Sequence, residues 1–185
     1  AYFSSAKNYK TIVTTDSITE NIDFFHNDPP ESVAQKLVCV NLSDLSAMGS
    51  APVAYTLNLS LTIKINLNWL KRFANRLFTL QKQYNFYLLG GDISQSSELS
   101  ISANFFGKAK LKDILSQNRC SVGDDIWITG NLGNSYLGYR ILVNSRFKIN
   151  NTDKAFYKNS YLYPEPCMFG STASKYISAA TDISD

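Results

Sequence analysis

The chain has 185 residues, of which 44% are hydrophobic, so it can bury one core, or one domain and the beginning of a second. The net charge is only +3, from 18 basic and 15 acidic residues, and the basic residues are scattered, which excludes an extended nucleic-acid groove. The three cysteines show no CxxC spacing and no apolar run reaches the roughly 18 residues of a membrane span, so we expect no zinc site, disulfide framework or membrane segment. The expected location is the cytoplasm.

The first predicted elements are a strand and a helix. Residues 11–15 form a short β-branched run, which predicts a strand that ends by delivering Asp16. The run Asp28-Pro29-Pro30-Glu31 predicts the start of a helix, with its aspartate as the N-cap and proline in the first turn. That helix has an apolar side and is predicted to end near Met48-Gly49, where glycine supplies the C-cap.

A strand, a second helix and two further strands follow. Alternating apolar residues predict a strand over residues 55–61, and an amphipathic period predicts a helix over residues 67–84. Residues 86–89 predict a compact strand that is broken at Gly90-Gly91-Asp92, and residues 99–105 alternate again. The order β, α, β, α, β, β indicates an α/β sandwich with a mixed sheet.

A second domain is expected after a polar connection, so that the first domain spans residues 1–112 and the second spans residues 113–185. The predicted elements of the second domain are a strand, a turn and two helices, over residues 125–129, 130–133, 135–144 and 169–180.

Three aspartates stand where a polar side chain has little structural reason to be. Asp16 follows the first strand, Asp44 lies within an apolar helix, and Asp92 follows a buried strand and two glycines. Carboxylate and hydroxyl oxygens are the ligands that Mg²⁺ prefers, and Thr14 and Thr15 add hydroxyls beside Asp16. The pattern indicates a metal site, although each aspartate taken alone is also explained as a turn or cap residue. Spacing alone leaves both interpretations open.

Gly130-Asn131-Leu132-Gly133 precedes a predicted helix, where free backbone N–H groups favour a phosphate. The run matches neither the Walker A pattern nor GxGxxG, so a structural turn is the other interpretation.

Five motifs of the chain resemble thiamine-monophosphate kinase, in the order and at about the separations found in that family, and the resemblance covers nearly the whole chain. The second motif, in which NLSDLSAMG is followed by a proline, is the most specific. The motifs are Val13-Thr14-Thr15-Asp16-Ser17, the runs over residues 41–52 and 123–130, Leu89-Gly90-Gly91-Asp92 and Asp182-Ile183-Ser184-Asp185.

The resemblance implies a mixed-sheet N-terminal domain of the aminoimidazole ribonucleotide synthetase-like type, which binds ATP and metal, and the start of a second α/β domain. It implies direct in-line transfer of the γ-phosphoryl of ATP to thiamine monophosphate with Mg²⁺, in a homodimer whose N-terminal domains pair their sheets. The implied magnesium ligands are Thr14, Thr15, Asp16, Asp44, Asp92, Asp182 and Asp185, and the implied nucleotide contacts are Gly91, Asp92 and Ser184.

Two positions depart from the family pattern. Asp23 stands where the family has a substrate-binding histidine, and Gln117 stands where it has an arginine that contacts nucleotide phosphates. We expect Asp23 to contact the substrate and Gln117 to contact ATP. The alternatives are a catalytically impaired homologue that still binds metal and nucleotide, or a related ATP enzyme with a different acceptor. Because both ends also read as interrupted, we expect a longer gene product and no kinase turnover by these residues alone.

Overall fold

The chain folds into two compact units, one made of Ala1–Asp124 with Pro166–Asp185 and the other of Asp125–Glu165. The predicted division between residues 112 and 113 stays a prediction. Within the described part of the chain, no helix has the length and apolar character needed to cross a membrane. The structure is a computed structural model, and it describes residues 2–6, 8–144, 149–169 and 173–183.

A five-stranded mixed sheet is the frame of the first unit. Its strands are β1 (Tyr2–Ala6), β2 (Tyr9–Thr19), β3 (Ala51–Leu61), β4 (Tyr87–Gln95) and β5 (Ser100–Lys110). They lie in the order β1-β2-β5-β3-β4, in which β3 and β4 are parallel and every other neighbouring pair is antiparallel. The predicted α/β class with a mixed sheet is confirmed.

Two helices, α1 (Pro30–Ala47) and α2 (Leu67–Tyr84), pack on one face of this sheet, which we call the covered face. Alternate residues of β5 are buried beneath them, and Tyr55 of β3 stacks on Phe105 with 4.9 Å between ring centroids. Successive residues of a strand point to opposite sides of the sheet. The residues between the buried ones therefore lie on the opposite, open face, which carries polar side chains. The hydrophobic core therefore lies between the covered face and the two helices.

The C-terminal end of α1 agrees with the prediction, and the N-terminal end does not. The helix ends at Ala47, and Gly49 adopts a φ of 68°, as the predicted glycine C-cap requires. The predicted N-cap is wrong: Pro29 occupies that position, and Asp28 instead accepts a hydrogen bond of 3.0 Å from the backbone N–H of Phe25. Proline sets the backbone for the first turn without a side-chain cap.

Two strands run further than predicted. β2 continues to Thr19, so Asp16 lies within the strand, paired with Ala103 of β5, and does not lie at its end. β4 runs through the predicted break, with a register shift against β3 at Tyr55/Thr56. A Cβ at Gly91 would lie 1.7 Å from the carbonyl oxygen of Leu57, so the glycine permits close approach of the two strands.

The second unit contains two packed helices, α3 (Asn134–Val143) and α4 (Asn151–Leu162). A Cβ at Gly138 would lie 2.0 Å from the carbonyl oxygen of Tyr157, so glycine lets the helix backbones meet. The prediction of α3 is confirmed, and α4 was missed. The predicted strand over residues 125–129 is wrong, because these residues are irregular and exposed.

The predicted helix over residues 169–180 belongs to the first unit. Residues 170–172 lie outside the described residues, and the described remainder contains only a 3-10 turn at Ala173–Lys175. The prediction of a helix of that length is therefore wrong.

Candidate functional site

A cavity of about 470 Å³ opens in the first unit beside β2 and the C-terminal end of α1. Ile12, Ala47 and Met48 form part of its apolar wall. Its lining, as far as the described residues go, contains two carboxylates and no lysine, arginine or histidine. The polar side chains of the lining belong to Thr14, Asp44, Ser116, Gln117, Asn118 and Asp182.

β2 divides its three predicted metal ligands between the two faces of the sheet. Thr14 and Asp16 lie on the covered face with Ile12 and Ile18, and Thr15 points to the open face, where it is exposed. The hydroxyl of Thr14 donates a hydrogen bond to Oδ2 of Asp44, and Asp16 is half-buried. The structure thus brings Thr14 and Asp16 to α1 and leaves Thr15 apart from them.

Asp44 lies in the last turn of α1, where its carbonyl oxygen accepts a hydrogen bond from the N–H of Met48. Its side chain is half-buried. The C-terminal end of a helix carries a partial negative charge, which disfavours a carboxylate. The position therefore gains nothing from the helix dipole, and a bound cation would stabilise it.

The electrostatics bring Asp16, Asp44 and Asp182 into one group. Burial raises the pKa of Asp16, and the negative charges of Asp44 and Asp182 raise it further. Burial also raises the pKa of Asp44, the hydrogen bond from Thr14 opposes that rise, and the charge of Asp182 adds to it. The negative charges of neighbouring carboxylates disfavour the ionised forms of Asp16 and Asp44, and such a cluster creates a negative potential that attracts cations.

Gln117 and Asp182 line the same cavity, although they are far apart in the sequence. The amide nitrogen of Gln117 donates a hydrogen bond of 2.9 Å to the hydroxyl of Thr181, the residue before Asp182. The other two predicted ligands of this motif, Ser184 and Asp185, lie outside the described residues.

Asp92 and Gly91 are not brought to this group. Asp92 pairs with Asn58, which pairs with Ser102, which pairs with Ser17, and this row lies on the open face. Three strand spacings separate β4 from β2, which is about 14 Å. Their roles as metal and nucleotide ligands stay predictions.

Asp23 lies in the turn that follows β2. Its Oδ2 accepts a hydrogen bond of 2.8 Å from the backbone N–H of Thr19, and its carbonyl oxygen accepts one from Nζ of Lys36. These contacts give Asp23 a structural role as a turn cap, and it does not line the cavity. Substrate binding by Asp23 stays a prediction.

The oxygen donors of the cavity are of the chemical type that Mg²⁺ prefers, but they do not form a complete set of ligands. Among the described residues, no three His, Cys, Asp or Glu side chains form a group that could hold a metal ion. Thr14, Asp16, Asp44 and Asp182 nevertheless supply hard oxygen atoms and an excess of negative charge. Mg²⁺ usually takes only one or two carboxylates from a protein and completes its shell with water and phosphate oxygens.

Several residues of the cavity were missed from the sequence. Met48 lies inside a motif that was recognised, and Ala180 lies two residues before another, so their positions beside Gly49 and near Asp182 were the available signal. Ser116 and Asn118 hydrogen-bond to each other at 2.6 Å in a polar segment, and nothing in the sequence distinguished them from a linker.

Comparison with known proteins gives a consistent family match. Residues 1–109 match the family described as AIR synthase related protein, N-terminal domain. The chain is 36% identical over 180 residues to the thiamine-monophosphate kinase of Buchnera aphidicola subsp. Acyrthosiphon pisum (strain APS), covering 97% of this chain and 55% of that one. It is 32% identical over 186 residues to the thiamine-monophosphate kinase of Haemophilus influenzae (strain ATCC 51907 / DSM 11121 / KW20 / Rd), covering 100% and 56%.

The fold is similar to a solved structure of AaThiL complexed with AMPPCP and TMP, with a TM-score of 0.88 and 25% identity. That match covers 97% of this chain and 57% of the solved chain. The chain therefore spans about half the length of the curated relatives and of the solved structure that it matches.

Proposed function

The chain belongs to the AIR synthase related protein family, and from that premise we propose that it carries the metal and nucleotide site of a thiamine-monophosphate kinase. The observation that carries the proposal is the group formed by Asp16, Asp44 and Asp182 beside a cavity whose described lining has no basic side chain. The proposed reaction passes the γ-phosphoryl of ATP to thiamine monophosphate, giving thiamine diphosphate. Because ATP is the co-substrate, the proposed location is the cytoplasm.

The charge of the substrates supports a role for metal. ATP and thiamine monophosphate are both anions, and they would repel each other and the carboxylates of the cavity. Bound Mg²⁺ would neutralise charge on the phosphates and align donor with acceptor. The carboxylates of Asp44 and Asp182 would hold the ion, and Asp16 would add negative potential.

The chain's own residues would orient the site. The Thr14 hydroxyl donates a hydrogen bond to Oδ2 of Asp44 and so orients its carboxylate beside the cavity. Ile12, Ala47 and Met48 supply an apolar wall that keeps water from part of the cavity. Exclusion of water strengthens electrostatic interactions with the phosphates.

A second copy of this chain is the proposed partner, paired along β4. This edge strand is exposed from Tyr87 to Gln95, and its exposed large side chains include Leu89 and Ile93, which are 58% and 66% exposed. An exposed apolar edge strand is a site for pairing with another strand. Pairing of two sheets would also bring further polar groups to the open face, where Thr15 and Asp92 lie.

The experiment is equilibrium binding of AMPPCP to this chain with and without Mg²⁺, followed by ADP release from ATP with and without thiamine monophosphate. Binding is the first readout because the chain spans about half the length of its relatives. The variant Asp44→Asn removes one carboxylate charge, and Glu98→Gln, at an exposed carboxylate that does not line the cavity, is the matched control.

Nucleotide binding that requires Mg²⁺ and is lost in Asp44→Asn, but not in Glu98→Gln, supports the metal and nucleotide site. ADP release that depends on thiamine monophosphate supports the full reaction. Binding without such release favours the impaired homologue or a different acceptor, and absence of Mg²⁺-dependent binding rejects the proposal.

A further inference from the structure

The chain leaves the first unit after Asp124 and returns to it at Pro166, and residues 166–183 are here called the return segment. Four side chains from the earlier part of the unit hold this segment. The contacts join Ser46 to Cys167, Asp113 to Ser174, Asp124 to Ser178 and Gln117 to Thr181.

The contact at Gln117 lies next to the carboxylate of the cavity. Nε2 of Gln117 is 2.9 Å from Oγ1 of Thr181, and the side chain of Asp182 faces the cavity that Gln117 also lines. A hydrogen bond on the preceding residue restricts the backbone from which Asp182 projects. The position of the carboxylate therefore depends on whether Thr181 is held.

The other end of the return segment is tied to α1. Ser46 is 2% exposed, its hydroxyl donates a hydrogen bond of 2.6 Å to the carbonyl oxygen of Cys167, and it accepts one of 3.1 Å from the N–H of Phe169. Ser46 is two residues from Asp44 on the same helix end. The helix that carries one carboxylate thus also anchors the segment that carries the other.

We propose that Gln117 is a positioning residue, which holds Thr181 so that the carboxylate of Asp182 stays beside that of Asp44 at the cavity. The inference rests on the proposed function of the cavity as a metal and nucleotide site. Two carboxylates repel each other, and Asp182 on an untethered segment would move toward solvent. The contact opposes that movement and fixes the two oxygen donors before the cation arrives.

The chemistry of the contact suits this role. A carboxamide and a hydroxyl are both neutral, so the hydrogen bond persists across the physiological pH range and adds no positive charge that would compete with a cation. The alternative role of Gln117 is direct contact with the nucleotide. The two roles differ in one respect, since only the positioning role requires the hydroxyl of Thr181.

The experiment is a double-mutant cycle on the 185-residue chain with Gln117→Ala, Thr181→Val and the double variant. Thr181→Ser keeps the hydroxyl and serves as the rescue, and Gln83→Ala removes an exposed carboxamide on α2, outside the cavity, as the control. Circular dichroism and thermal unfolding establish that each variant is folded. The measured quantities are the Kd of Mn²⁺ in the presence and in the absence of AMPPCP, from the electron paramagnetic resonance signal of the free ion.

We expect each single variant to weaken Mn²⁺ binding by about threefold to tenfold, the range that loss of one hydrogen bond supports. The double variant should bind no more weakly than the weaker single variant, because both changes break the same contact. Thr181→Ser and Gln83→Ala should remain within about twofold of the parent, and the losses in Gln117→Ala and Thr181→Val should be the same with and without AMPPCP.

The inference is overturned if Thr181→Val binds Mn²⁺ as the parent does, or if the two single effects add in the double variant. It is also overturned if Gln117→Ala weakens Mn²⁺ binding only in the presence of AMPPCP, which would identify a direct nucleotide contact. If the parent chain itself binds neither Mn²⁺ nor AMPPCP, the proposed function fails together with this inference. If the parent chain binds both and the variants give one of the overturning results, only the inference is rejected.

Discussion

Thr14 of β2 donates a hydrogen bond to Asp44 of α1, and this contact joins the strand and the helix at the edge of the cavity. It lowers the pKa of Asp44 against the burial and the negative charge of Asp182 that raise it. The hydroxyl thus favours the ionised form of Asp44, which is the form that binds a cation.

Thr14→Val should therefore weaken binding of Mg²⁺ with AMPPCP by about threefold to tenfold, since valine keeps the shape of threonine and loses the donor. Isothermal titration calorimetry measures the change. Thr11→Val is the matched control, because Thr11 lies on the open face of the same strand and does not line the cavity. Equal losses in the two variants would show that the hydroxyl of Thr14 has no particular role.

The clustered carboxylates should cost stability in the absence of a divalent cation. The pKa of Asp16 is raised by burial and by Asp44 and Asp182, so the fold favours its protonated form. Its contribution to stability is therefore complete below the ordinary aspartate pKa of about 3.9 and is lost as pH rises through the higher value of the folded state.

Asp16→Asn should consequently raise the melting temperature at pH 7 by about 2–4 °C without Mg²⁺, and this gain should shrink as the pH is lowered toward 4. Thermal unfolding between pH 4 and pH 7 measures the trend. Asp124→Asn should show the opposite trend, since hydrogen bonds from Ser121 and Ser178 lower the pKa of Asp124. A gain for Asp16→Asn that is the same at every pH would contradict the electrostatic explanation.

Gly91 is a further position where a small change has a large expected effect. A Cβ there would lie 1.7 Å from the carbonyl oxygen of Leu57, so Gly91→Ala should push β4 away from β3 and lower the free energy of unfolding by about 2–4 kcal/mol. Chemical denaturation measures this loss. Ser94→Ala on the same exposed strand is the control and should change the free energy of unfolding by less than about 0.5 kcal/mol. An unchanged free energy of unfolding in Gly91→Ala would show that the two strands move apart without a loss of stability.

Elements with local signals at both ends were predicted well. The predicted range of α2 is confirmed because Asn66 caps its first turn, accepting a hydrogen bond from the N–H of Trp69, and Asn85 ends it in the left-handed conformation at a φ of 56°. The continuation of β4 through two glycines depends on its pairing with Leu57 and its neighbours. A sequence pattern cannot supply that partner, so the break was predicted instead.

The candidate site was predictable to a similar degree. Asp16 and Asp44 were recognised as unusual polar positions, and the resemblance added Asp182. Their grouping depends on the return segment, whose contacts with Ser46 and Gln117 join residues distant in sequence. Asp92 was recognised from its motif but does not join this group. The strand order places it on β4, three strands from β2, and on the open face of the sheet.

The edge strand β4 gives the last prediction, which concerns the proposed pairing of two copies. Ile93 is 66% exposed, and an aspartate there would place a charge within a paired edge, where it would lose its hydration. Ile93→Asp should therefore shift a dimer to monomer by at least about tenfold in dissociation constant. Analytical ultracentrifugation over a concentration series measures the shift.

Phe78→Asp is the matched control for that experiment, because Phe78 is 57% exposed and belongs to α2, not to the edge strand. It carries a similar exposed apolar side chain, and its ring lies under the ammonium of Lys82 at 4.2 Å. Loss of the dimer in Ile93→Asp alone would locate the interface at β4. Loss in both variants would indicate a general effect of added charge, and a parent chain that is monomeric at every concentration would reject pairing along this edge.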